Sequence, residues 1–149
     1  MTATPEPAQR TDAAETTETA SSKAAGRLSG RELLSRTAII VVSYDSAALL
    51  KRTLARVAED SPEARIIVVD NYSTPAAREQ LVALASSRGW EAVLPETNTG
   101  FGGGMNLGAA RARELGADLL VLLNPDAVIA RADLIRLAAR AHADRLALV

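Results

Sequence analysis

Three places in this 149-residue sequence put chemically useful groups beside apolar runs. Asp70 directly follows Ile66-Ile67-Val68-Val69, and Asn124-Pro125-Asp126 closes the run that begins at Leu119. A glycine run, Gly100-Phe101-Gly102-Gly103-Gly104, comes just before a helical pattern. A carboxylate at the end of a buried strand can accept from a ligand hydroxyl or a base N–H. It can equally satisfy backbone N–H groups in a local turn. One carboxylate such as Asp126 holds Mg²⁺ or Mn²⁺ only when diphosphate oxygens and waters complete the shell; the alternative is a turn, since Asn-Pro and Pro-Asp are common turn pairs. Glycines let a backbone approach a phosphate or ribose closely, at a helix start that favours negative charge. Their alternative is a flexible surface turn. Tyr44 and Phe101 stand close to these segments, placed either to flank a base or to fill a gap under a loop.

Those groups need elements to position them. Thr37–Asp45 and Ala64–Asp70 are continuous β-branched runs, which suits strands buried on both faces of a parallel sheet. Between them Ser46 is a candidate N-cap for one helix, with Leu49, Leu50, Leu54 and Val57 as its inward stripe and Pro62 as its end. The next helix has Thr74 as cap, Pro75 at its first position, Leu81, Val82 and Ala85 facing inward and Gly89 as its stop. Trp90–Pro95 reads as a short third strand with Trp90 packed at its start. The glycine turn then leads to a helix over Ala109–Leu115, stopped by Gly116. A fourth strand ends at Asp126, Asp133 is a candidate cap for a last helix that carries His142, and Arg145–Val149 begins a further strand. Alternation with short connections predicts an α/β fold with a parallel sheet and helices on both faces. Ligands in such sheets bind beyond the carboxyl ends of the strands, which selects Ser43-Tyr44-Asp45, Asp70-Asn71, Glu96–Gly104 and Asn124–Asp126.

Composition narrows the chemistry. Zero cysteine excludes disulfide frameworks, thiolate metal sites and cysteine nucleophiles. One histidine argues against a multi-histidine metal centre or a Ser-His-Asp triad. A formal charge of -1 and only four aromatic side chains argue against nucleic acid as a partner. No apolar stretch approaches the roughly 20 residues of a membrane span, and the N-terminus has no signal-peptide core, so the chain reads as cytoplasmic. Residues up to Arg27 contain no Leu, Ile, Val or Phe and read as a disordered tail, with Leu28–Arg36 as a lead-in or short helix. The first helix-forming turn, Ser43–Ala47, has no glycine and there is no GxxxxGK[ST] stretch, so neither a dinucleotide fingerprint nor a P-loop is present.

Taken in order, VVSYD, IIVVDNYST, ETNTGFGGGMNLG and LLVLLNPDAVI resemble the N-terminal donor-binding half of the family 2 glycosyltransferases, of the GT-A (Rossmann-like) fold. The likeness covers residues 37–149 and is greatest to the bacterial rhamnosyltransferase-like branch, in which Asn-Pro-Asp replaces the usual Asp-x-Asp. It implies transfer of a sugar from a nucleoside-diphosphate donor, dTDP-rhamnose by branch, to an acceptor hydroxyl with inversion. It also implies roles. Asp70 would contact the nucleobase or ribose, Asn124 would face the ribose, and Asp126 would ligate a divalent cation (Mg or Mn). Ser43 and Tyr44, with Asn98, Gly100, Phe101, Gly102 and Gly103, would line the nucleotide pocket.

Three features depart from the family pattern. Asp45 stands where Asn is usual, and Pro75 stands where an acid usually follows Ser-Thr. The catalytic base belongs to the acceptor-binding half and is expected beyond Val149, so the chain reads as truncated, with residues 1–36 as tail and lead-in. The implied acceptor is a glycan or lipid-linked glycan, which leaves peripheral membrane association open. A non-catalytic nucleotide-sugar-binding or partner module is the alternative from a different class.

Overall fold

The computed structural model describes residues 28–144. The expected disordered tail up to Arg27 and the expected strand over Arg145–Val149 lie outside the described residues. The lead-in does form a helix, α1 (Gly30–Ser35), closed by a capping box in which the Ser29 side chain accepts from the Glu32 N–H and Glu32 accepts from the Ser29 N–H.

Strand β1 (Thr37–Ser43) is buried at every residue, and β2 (Arg65–Asp70) at all but Arg65. With β3 (Glu91–Val93) and β4 (Leu119–Leu122) they make a four-stranded sheet, all parallel, in the order β3-β2-β1-β4. The period of two divides the β1 and β2 side chains between two cores. Ile39, Val41, Ile66 and Val68 face Leu50, Leu54, Val57, Leu81 and Leu134, while Ala38, Ile40, Val42, Ile67 and Val69 face Met105 and Ala112. Each fully buried branched side chain contributes about 1.5–3 kcal/mol. The continuous β-branched runs are thus explained by a sheet covered on both faces, as expected.

Five sequence expectations are corrected. The helix after β1 is two pieces, α2 (Ala47–Leu50) and α3 (Leu54–Asp60), with a turn at residues 51–53. Ser46 does not cap by its side chain; its hydroxyl is spent on Ser43 Oγ at 2.7 Å. In α4 (Pro75–Arg88) the Thr74 cap, Pro75 at the first turn and the left-handed Gly89 stop all stand as expected, and Leu81 and Ala85 are buried, but Val82 is exposed. Asp133 lies within the first turn of α6 (Arg131–Ala143), whose N-cap is Ala130, and its carboxylate pairs with Arg136 instead of capping.

The largest correction concerns the glycines. Helix α5 spans Gly100–Glu114, so the glycine run is helix and not loop. Only Gly100 within the run has positive φ, at 72°. A Cβ on Gly104 would stand 2.9 Å from Val42 Cγ2, and one on Gly108 would stand 2.3 Å from Ile40 Cγ2. The bulk of the β1 side chains demands a bare helix face, and this packing outweighs the poor helix propensity of glycine. Trp90 is buried at the start of β3, and Gly116, with φ of 82°, ends the α5 turn, both as expected.

Candidate functional site

The carboxyl ends of the four strands carry the residues singled out from sequence. Ser43 and Asp70 are register partners at the ends of β1 and β2. The ladder extends one step further, where the Asn71 N–H donates to the Ser43 carbonyl at 2.8 Å. Two residues beyond each partner the chain enters left-handed backbone, at Asp45 (φ 49°) and Tyr72 (φ 46°). Asp tolerates that conformation; for a bulky aromatic residue it is an outlier of the kind found where surrounding structure dictates the backbone.

Asp70 is nearly sealed, its side chain only 3% exposed. One carboxylate oxygen accepts from the Tyr72 N–H at 3.3 Å, the local turn role, and the other from Arg78 Nε at 2.6 Å. Arg78 also donates through Nη2 to the Pro95 carbonyl and stacks on Tyr72, with Cζ 4.6 Å from the ring centroid. One guanidinium therefore ties together the end of β2, the first turns of α4 and the segment after β3.

Asn71 joins that segment to the sheet by accepting from the Thr99 N–H at 3.1 Å, and Asn98 Oδ1 accepts from the Gly100 N–H at 2.9 Å. These side chains serve the N–H groups at the start of α5, where Thr99 makes no side-chain cap. Ser43, Asp70, Asn98 and Gly100 are thus brought to one edge of the sheet. Phe101 and Tyr44 are 56% and 60% exposed there, free to meet a ligand. Gly102 has open space beside it, whereas Gly103 packs against the Thr99 side chain.

At the end of β4 the Asn124 carbonyl accepts from the Ala127 N–H at 3.1 Å, so Asn124-Pro125-Asp126 is a hydrogen-bonded turn. Thr53 Oγ1 donates to the Pro125 carbonyl at 2.6 Å and fastens this turn to the α2–α3 junction. Asn124 and Asp126 are exposed. Among the described residues Asp126 makes no hydrogen bond or ion pair, and no group of three or more metal-ligating side chains is present. An open, unpaired carboxylate oxygen is a fitting ligand for a hard divalent cation that takes its other ligands from a diphosphate and water.

Tyr72, Arg78 and Thr53 are site residues that the motif reading passed over. The available signal was an arginine placed one turn into the helix that follows a buried strand-end acid. Ion pairs lie elsewhere too: Glu63 accepts two bonds from Arg131, at 2.6 and 3.0 Å, which hold its carboxyl down to about 2.

A family model described as glycosyl transferase family 2 matches residues 38–149. Comparison with curated proteins finds no significant match. Among solved structures the chain is similar to the mannosyltransferase PcManGT from Pyrobaculum calidifontis in complex with GDP-Man and Mn²⁺, at 22% identity and TM-score 0.55 over 67% of this chain and 30% of that one. It is also similar to S. aureus TarS 1-349, at 21% identity and TM-score 0.55 over 73% of this chain and 33% of that one. These likenesses show a GT-A-type fold, and the chain spans about a third of the length of the structures it matches.

Proposed function

This chain belongs to glycosyl transferase family 2, and on that premise we propose that residues 37–149 are the donor-binding half of a glycosyltransferase that uses a nucleoside-diphosphate sugar. One observation carries the reading: four segments distant in sequence, at Ser43, Asp70, Asn98–Gly100 and Asn124–Asp126, converge on the carboxyl ends of adjacent parallel strands. That is where α/β sheets bind nucleotides. Ser43, Tyr44, Asn98, Gly100, Phe101, Gly102 and Gly103 serve the nucleotide, Asp70 supports the nucleobase end of the site from within, and Asn124 faces the ribose. Asp126 would hold Mg²⁺ or Mn²⁺, and the chemistry such a cation would supply there is neutralisation of charge on the diphosphate. The neighbour that holds GDP-Man and Mn²⁺ supports this class of donor and cation.

In the reaction an acceptor hydroxyl oxygen bonds to the anomeric carbon as the bond from that carbon to the diphosphate oxygen breaks, with inversion. The hydroxyl proton passes to a base on the acceptor-binding half. dTDP-rhamnose is the favoured donor, from the Asn124-Pro125-Asp126 form of the motif, with a glycan or lipid-linked glycan as acceptor. No helix among the described residues is long and apolar enough to cross a membrane; action at the cytoplasmic membrane face is part of the proposal. Calorimetric titration of the full chain with UDP and dTDP, with and without Mn²⁺, tests the reading. Cation-dependent binding that Asp126→Ala weakens at least tenfold is expected. Binding indifferent to Asp126→Ala removes the ligand assignment.

A further inference from the structure

At the β2–β3 end of the sheet the Arg78 guanidinium is partly exposed and the Asp70 carboxylate it pairs with is buried. Asp70 is 3% exposed and Arg78 23% exposed at the side chain. We propose that Arg78 is a specificity-determining residue for the donor's nucleobase, donating to a ring carbonyl, and that Asp70 is the positioning residue that holds it. The proposal rests on the donor reading above and deepens it.

The donor inventory supports it. A guanidinium has five N–H groups. Nε–H goes to Asp70 Oδ2 and one Nη2–H to the Pro95 carbonyl. The other three have no acceptor among the described residues. Asp70, Pro95 and the Tyr72 ring hold the group on three sides. Unused donors on a fixed planar fork suit a carbonyl oxygen, as when arginine reads guanine O6. Both oxygens of Asp70, in contrast, are already engaged, by the Tyr72 N–H and by Arg78. Tyr72 has left-handed backbone, its ring lies against the guanidinium, and the residue is 36% exposed. Together these place a partly exposed aromatic ring and a directed N–H fork at the same spot, two kinds of contact by which side chains hold a base. Uracil, thymine and guanine carry a ring carbonyl and adenine carries none, so the chemistry selects against adenine.

The test is calorimetry of the full chain with UDP, dTDP, GDP and ADP, each with Mn²⁺, and with Mn²⁺–pyrophosphate as a base-free probe. The wild type is expected to bind at least one of the carbonyl-bearing nucleotides ten times more tightly than ADP. Arg78→Ala is expected to bring that ratio below threefold and to leave pyrophosphate binding unchanged, which loss of fold would not do. Arg78→Lys, which keeps the charge and an N–H donor group but loses the planar fork, is expected to retain part of the preference and is the deciding variant if the alanine variant unfolds. Asp70→Asn is expected to reduce the ratio without adding to the Arg78→Ala effect in the double variant. A full preference in Arg78→Ala, or an equal loss of pyrophosphate and nucleotide binding, overturns the proposal and leaves the donor reading standing. A wild-type chain that binds none of the nucleotides overturns both.

Discussion

Gly108 lies so close to Ile40 that a Cβ on it would stand 2.3 Å from Ile40 Cγ2 and 3.1 Å from Val69 Cγ2. Helix α5 can rest on β1 and β2 only because that position is bare, and the seating delivers the start of the helix to Asn71. Gly108→Ala is therefore expected to destabilise the chain by about 1–3 kcal/mol, the usual range for forcing extra carbon into a packed core. Urea unfolding followed by circular dichroism measures it; a change within experimental error would show that the helix shifts freely.

Gly102 makes the opposite prediction. It is helical, and a Cβ there meets nothing within 4 Å. Gly102→Ala should stabilise by about 0.5–1 kcal/mol through helix propensity alone. The same variant checks the donor assignment. If its affinity for Mn²⁺–UDP equals that of the wild type, Gly102 leaves the nucleotide-binding set.

Thr53 anchors the turn that presents Asp126. Its hydroxyl donates to the Pro125 carbonyl at 2.6 Å and also lies 3.0 Å from the Leu49 carbonyl. Thr53→Val keeps the shape and removes the donor, for an expected loss of about 0.5–1.5 kcal/mol. Thr53→Ser should restore it. If the turn positions the cation ligand, Thr53→Val also weakens Mn²⁺-dependent nucleotide binding more than cation-free binding, readable in paired titrations.

The Glu63–Arg131 pair sets a pH dependence. Arg131 holds the Glu63 carboxyl from 4.5 down to about 2. A depressed carboxyl contributes stability above its unfolded pKa and loses that contribution as pH falls through the folded one. Melting temperature should therefore decline between about pH 4.5 and pH 2. Glu63→Gln should start lower at neutral pH and decline less over that window. Asp118, lowered by its hydrogen bonds from Arg36, acts with the same sign, so the slope in Glu63→Gln falls without vanishing.

Asp45 separates backbone from charge. Its φ of 49° is tolerable for Asp and Asn but costs a β-branched residue about 1–2 kcal/mol. Asp45→Val should lose stability by that amount, while Asp45→Asn should hold it. Should Asp45→Asn also tighten Mn²⁺–UDP binding, the exposed carboxylate faces the diphosphate; an unchanged constant places it elsewhere.

Much of the architecture was legible along the chain. The β-branched runs at Ile39–Val42 and Ile66–Val69, the Thr74-Pro75 start and the Gly89 stop encode local conformation through side-chain shape and backbone freedom. Those forces act within a few residues, so they can be read in order. The convergence of Ser43, Asp70 and Asn124–Asp126 on one edge followed from the same reading, because strands that alternate with helices run parallel and end on one side. The glycine run is helix and not turn for the complementary reason. Gly104 and Gly108 answer to Val42 and Ile40, more than 60 residues away in sequence, and no local pattern announces that contact. Asp70 was recognised as a strand-end acid, but its burial behind Arg78 depends on how α4 and the segment after β3 meet. The sequence by itself determined which groups reach the carboxyl edge of the sheet. Only the tertiary structure decided which of them face outward, since exposure is a property of packed neighbours and not of spacing.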